Sequence, residues 1–218
     1  MPKRFDLIVF DWDGTVMDSA AIIVQSIQAA CRDLGLPEPS DARARHVIGL
    51  GLVDALSYAV PELQPAAYPQ MVDRYRHHYL ANDHTLALFA GIPALIDALA
   101  EAGHALAVAT GKSRVGLDRA LKYTGLGPRF HGSRCADECH SKPHPQMLEE
   151  LMDEFGVSPE RTLMIGDTTH DLQMAINAGT GALAVSYGAH PLEPLQALAP
   201  LACVPSVEEL AAWLNRHA

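Results

Sequence analysis

Asp11-Trp12-Asp13-Gly14-Thr15 sets two carboxylates two residues apart, directly after the apolar run Leu7-Ile8-Val9-Phe10. In extended backbone alternate residues share a face, so both side chains are aimed to the same side. An acidic turn is the other way to read this pentapeptide, since Asp and Gly favour turns. Gly166-Asp167-Thr168-Thr169-His170-Asp171 adds two more carboxylates after a second apolar run, Leu163-Met164-Ile165. Taken singly, either of these could simply cap a helix. Taken together, carboxylates converging on one edge repel one another unless a hard cation neutralises them. Mg2+ is the economical ion, because it takes oxygen ligands and keeps waters that a phosphate can replace.

Two further segments carry groups that complement such a cluster. Thr110-Gly111-Lys112 follows the run Leu106-Ala107-Val108-Ala109, and a hydroxyl with backbone N–H groups at a helix start can hold phosphate oxygens. Lys142 stands in Ser141-Lys142-Pro143-His144-Pro145 and is one of only four lysines. Its two neighbouring prolines restrict the backbone. A lysine held beside an acidic cluster offsets the charge of a carboxylate and of a bound phosphoryl group alike. Cys135, Cys139 and His140 are soft-metal ligand types, but a structural zinc site needs a fourth ligand at matching spacing, so ordinary loop thiols are expected.

The elements that must position these residues follow from periodicity. Leu7 to Phe10, Leu106 to Ala109, Leu163 to Ile165 and Ala182 to Val185 read as buried strands, each ending in a polar cluster. Helical patterns lie between them, at Ile92 to Ala102, Val115 to Tyr123, Gln146 to Phe155 and Leu172 to Ala178, several stopped by a glycine. Such alternation predicts an α/β fold, a Rossmann-like parallel sheet with helices on both faces, whose ligands gather at the carboxyl ends of the strands. Residues 17–90 break the alternation with helical periodicity alone. They are expected to form an inserted all-helical cap domain over a core made of residues 1–16 and 91–218, able to act as a lid.

Composition limits the partners. The chain has 218 residues, 49% of them hydrophobic, and a formal net charge of -10. That balance argues against nucleic acid and anionic membranes, which need clustered Lys and Arg, and leaves a small molecule as the expected partner. No apolar run reaches the ~18 residues that would span a bilayer, and no apolar signal region precedes Asp11, so a cytoplasmic protein is expected.

The order of these segments resembles the haloacid dehalogenase superfamily. Its members carry an Asp-x-Asp-Gly-Thr strand end, a Thr or Ser, a Lys and a Gly-Asp-x-x-x-Asp segment, matched here by Asp11 to Thr15, Thr110, Lys142 and Gly166 to Asp171. A helical cap after the first motif marks the subgroup that includes phosphoglycolate phosphatases and sugar-phosphate mutases. The resemblance implies a phosphatase acting on a small phosphorylated metabolite. Asp11 would be the nucleophile that forms an aspartyl phosphate, and Asp13 the general acid and base. Thr15, Thr110, Gly111 and Lys112 would lie at the substrate, with Lys142 balancing charge. Mg2+ would be held by Asp11, Asp167 and the Asp13 backbone carbonyl, with Asp171 acting through water or from behind the ligands.

Other branches of the superfamily fit less well. Dehalogenases proper lack the Asp13 acid, and phosphonoacetaldehyde hydrolases use a cap lysine, whereas residues 17–90 contain none. A phosphosugar mutase using the same aspartyl phosphate is the catalytic alternative, and a non-catalytic phospho-ligand binding protein the alternative from another class. Arg45-His46-Val47-Ile48-Gly49-Leu50-Gly51 looks like the Arg-containing, two-glycine segment of phosphoglycolate phosphatases. Arg45 and His46 are therefore expected to bind the non-phosphate end of the substrate, such as a carboxylate. Trp12 replaces a smaller residue of the family pattern, and its ring is expected to narrow or reshape the entrance.

Overall fold

The computed structural model describes residues 3–218. Strand β1 (Leu7–Phe10) leads into helices α1 (Ala20–Asp33), α2 (Asp41–His46), α3 (Leu52–Ala59) and α4 (Tyr68–Asn82). The alternation then begins: α5 (Ile92–Glu101), β2 (Ala105–Thr110), α6 (Arg114–Thr124), β3 (Gly132–Cys135), α7 (Gln146–Phe155), β4 (Thr162–Gly166), α8 (Thr169–Ala178) and β5 (Gly181–Val185). The chain closes with α9 (Leu192–Gln196), β6 (Cys203–Val204) and α10 (Val207–His217). The six strands form one parallel sheet in the order β3-β2-β1-β4-β5-β6, with Leu7 level with Ala105 on one side and Thr162 on the other.

Side chains alternate across this sheet and generate two cores. Ile8, Phe10, Val108 and Ile165 point to one face, where Ile92, Ile96, Leu117 and Trp213 of α5, α6 and α10 cover them. Leu7, Val9, Ala107 and Met164 point to the other, against Met147, Leu151 and Leu172 of α7 and α8. Burial on both faces is why these strands read as unbroken apolar runs. A third apolar cluster lies in the helical cap region α1–α4, where Ile27, Val47, Leu56 and Met71 interlock. β1 sits at the middle of the sheet, so Asp11 emerges beside the ends of both β2 and β4. No helix among the described residues is long and apolar enough to cross a membrane.

Candidate active site

The loops at the carboxyl ends of β1, β2 and β4, and the loop after β3, bring the four sequence clusters together. Asp11 follows β1 and is wholly buried. Its Oδ1 accepts a hydrogen bond of 2.7 Å from the Lys142 ammonium, which donates a second, of 2.6 Å, to Asp171 Oδ1. All three side chains are closed to solvent. Asp167, at the end of β4, is held by the Thr15 hydroxyl and the Ala189 N–H, both at 2.7 Å. Gly14 and Gly188 flank this carboxylate so closely that a Cβ on either would collide with it, and Gly14 also adopts φ 86°. Glycine is required at such a position on both counts.

Asp11, Asp167 and Asp171 each place a carboxylate oxygen within 4.8 Å of the others. Burial pushes the Asp11 carboxyl well above the usual range, against the pull of Lys142. Burial, with repulsion from Asp171, lifts Asp167 to about 7. For Asp171, burial is outweighed by Lys142 and by Thr168, and its carboxyl stays below the ordinary value. Burial likewise works against the charge on Lys142, yet Asp11 and Asp171 hold its pKa above that of a free lysine. One lysine thus serves three buried carboxylates, and Asp11 Oδ2 has no hydrogen-bond partner. A divalent cation bound by oxygen fits such a donor set.

Asp171 has two roles that the sequence presented as alternatives. Its Oδ2 accepts from the Thr168 N–H and hydroxyl, completing a capping box at the start of α8, while its Oδ1 fixes Lys142. Asp13 is set apart from this triad. Its Oδ1 accepts from the Ser19 hydroxyl at 2.6 Å and lies 3.0 Å from the Lys112 ammonium, which also donates to the Tyr79 hydroxyl at 2.9 Å. Asp13, Gly111 and Lys112 line a cavity of about 770 Å³ whose other walls come largely from the helical cap region. The Thr110 hydroxyl is buried behind the cavity lining, where it accepts from the Lys112 N–H at 3.2 Å.

Several sequence expectations are corrected. Thr15 is fully buried with its hydroxyl committed to Asp167, so it supports that carboxylate and does not face the cavity. Arg45 and His46 do not line the cavity either, because the buried positions here are Ala44 of α2 and, just after the helix, Val47 and Ile48. The His46 ring stacks on His190 at 5.2 Å, and its carbonyl accepts from the His170 and His190 rings. Trp12 does not narrow the entrance: its ring is buried in the core, edge-on to Phe130, and does not line the cavity. Cys135 is a core residue and the Cys139 thiol donates to Glu150. Ser19, Tyr79 and Ala189 were not anticipated. The loop holding Ala189 follows the apolar run of β5 and could have been suspected from that alone, whereas Ser19 and Tyr79 lie within helical patterning without a local signal.

The sequence profile of the haloacid dehalogenase-like hydrolases matches residues 8–185. The chain belongs to that family. Within it, the chain is 36% identical over 94% of its length to "Probable phosphatase IndB" of Dickeya dadantii, covering 91% of that protein. It is 31% identical over 88% of its length to a phosphoglycolate phosphatase of Vibrio cholerae, covering 89% of it. The crystal structure of a hydrolase from Pseudomonas syringae matches 99% of both chains with a TM-score of 0.89, at 19% identity, a likeness of fold. This haloacid dehalogenase-like chain is a phosphatase, a phosphoric monoester hydrolase.

Proposed function

We propose that this phosphatase hydrolyses a small phosphorylated metabolite in two displacements at Asp11. Asp11 Oδ2 attacks phosphorus while Asp13 gives a proton to the departing alkoxide oxygen, leaving an aspartyl phosphate and a free alcohol. Asp13, now ionised, then takes a proton from the water that attacks the same phosphorus, releasing inorganic phosphate and restoring the Asp11 carboxylate and the protonated Asp13 acid. The observation that carries this reading is the geometry at Asp11: Lys142 fixes one oxygen at 2.7 Å, and the other is left without a partner. Lys142 also offsets charge on the transferring group, and Thr110 and Gly111 are the positions to hold its oxygens.

The donor set fits Mg2+, for which the Asp11 and Asp167 side chains and the Asp13 backbone carbonyl are the proposed ligands. Asp171 is engaged with Lys142 and Thr168, and supports the site from behind. When bound, the ion would neutralise phosphoryl charge and disperse the repulsion among the carboxylates. Residues 17–90 are proposed as the cap domain that closes over this site. A phosphate-release screen with phosphoglycolate, sugar phosphates and nucleotides, with and without chelator, tests the reading. Release is expected to require Mg2+ and to vanish in Asp11→Asn. Phosphate returned to another position of the sugar, with none released, would support a mutase instead.

A further inference from the structure

We infer that the substrate is a phosphate monoester whose alcohol carries a bulky apolar body, an alkyl or aryl group of about six or more carbons. The inference rests on the phosphatase reading above and concerns the part of the substrate beyond the phosphorus. The cavity that Asp13 and Lys112 open into is about 770 Å³, within the ~300–1,000 Å³ of pockets that engulf drug-sized ligands. Because Asp13 is the acid for the leaving oxygen, the group attached to that oxygen must project into this space.

The lining says what that group is. Ile23 and Ile27 of α1, Val47, Ile48 and Ala55 supply a buried apolar wall, and Tyr75 of α4 faces the same space. The charged lining residues other than Asp13 and Lys112 are Asp54, Arg76, Arg119 and Asp137, all solvent-exposed at the rim. The one cation placed inside, Lys112, is already committed to Asp13 and Tyr79. A two-carbon carboxylate would therefore find no buried, uncommitted cation in the lining and would leave most of the space to water. The cavity is also not a consequence of a cap held away from the core. Gly111 abuts the carbonyls of Gly49 and Leu50 so closely that a Cβ would overlap them, and the Gly51 N–H donates to Ser141 Oγ at 2.9 Å.

The test is a series of n-alkyl phosphates from ethyl to octyl, assayed by phosphate release with Mg2+ and below micelle-forming concentrations. The leaving alcohols have nearly equal acidity, so a trend in kcat/KM reports burial of the chain and not the chemistry. Full burial of a methylene gives about a fourfold gain; two- to fourfold per methylene is expected through hexyl, with phosphoglycolate and 5′-AMP below hexyl phosphate. Val72→Asp, in the cavity wall on α4, is expected to lower kcat/KM for octyl phosphate at least fivefold more than for ethyl phosphate. Values flat within twofold from ethyl to octyl, or phosphoglycolate or 5′-AMP above hexyl phosphate, would overturn the inference. Equal losses for both esters in Val72→Asp would overturn the proposed seat of the chain. Asp11→Asn separates the two levels: release that depends on Asp11 without a chain-length trend defeats this inference alone, while no Asp11-dependent release from any ester defeats the underlying reading too.

Discussion

Lys142 is the residue on which the electrostatics of the site turn, since among the described residues it is the one cation bonded to two of the three carboxylates Asp11, Asp167 and Asp171. Removing one partner of a buried ion pair leaves an uncompensated charge, at about 3–5 kcal/mol, and removes a group that stabilises transferring charge, worth ~10²–10³ in rate. Lys142→Met is therefore expected to lose at least a hundredfold in kcat and several degrees in Tm, with added Mg2+ restoring part of the Tm and little of the rate. Lys142→Arg should not rescue turnover, because the planar guanidinium cannot occupy a point between two carboxylates only one ammonium wide. A Lys142→Met enzyme within threefold of wild type would remove Lys142 from the proposed mechanism. Thr15 makes a complementary case. Its hydroxyl does nothing but hold Asp167 Oδ1, so Thr15→Val should weaken Mg2+ by the ~10–100-fold typical of groups that orient metal ligands. Calorimetric titration with Mg2+ measures this directly, and an unchanged Kd would show that Asp167 needs no such support. Lys142 and the carboxylates were legible from residue type and spacing. The supporting role of Thr15 was not, because one hydroxyl serves equally well for substrate or for a neighbouring carboxylate until its partner is known.

At the scale of elements, the fold reads clearly wherever a strand is buried on both faces and obscurely at the sheet edges. The apolar runs of β1, β2, β4 and β5 announce themselves, whereas β3 is Gly-Ser-Arg-Cys at one edge and β6 only Cys203–Val204 at the other. An edge strand has less to bury and so less to show in its sequence. The same limit hides α2, six residues rich in Arg and His, and with it the direction in which Arg45 and His46 point. What matters for function is the contact between elements that no local pattern records: the loop between α2 and α3 lying on the turn after β2. Gly111→Ala would drive a methyl into the carbonyls of Gly49 and Leu50. The sheet and its helices should be unaffected, as Gly111 lies beyond the last residue of β2. The expected outcome is at least a tenfold loss of kcat/KM for every substrate with an unchanged circular dichroism spectrum. Wild-type kinetics in this variant would mean that the loop can withdraw freely, and that its packing on Gly111 contributes nothing to turnover.

Across the whole molecule, the two ends of the sheet divide the work. The carboxyl ends gather the buried charges, and the amino ends carry bonds that tie the strands together. His104, between α5 and β2, belongs to the second group: its ring is buried and Nδ1–H donates to the Phe5 carbonyl ahead of β1 at 2.9 Å. Burial holds its pKa below the ordinary imidazole value. Unfolded chains take up this proton as pH falls through about 6.5, while the folded protein resists it. The stability that His104 permits is therefore complete above that pH and is lost progressively as the pH drops toward its lower folded pKa, with a slope of at most about 1.4 kcal/mol per pH unit. His104→Gln keeps a donor for Phe5 and removes the titration. Its Tm is expected to fall less steeply than that of wild type between pH 7 and pH 5, with kcat per folded enzyme the same in both, because the substitution lies at the end of the sheet opposite Asp11. Parallel Tm profiles would assign the acid sensitivity to other groups. A changed kcat would show that the amino end of the sheet is coupled to the site after all.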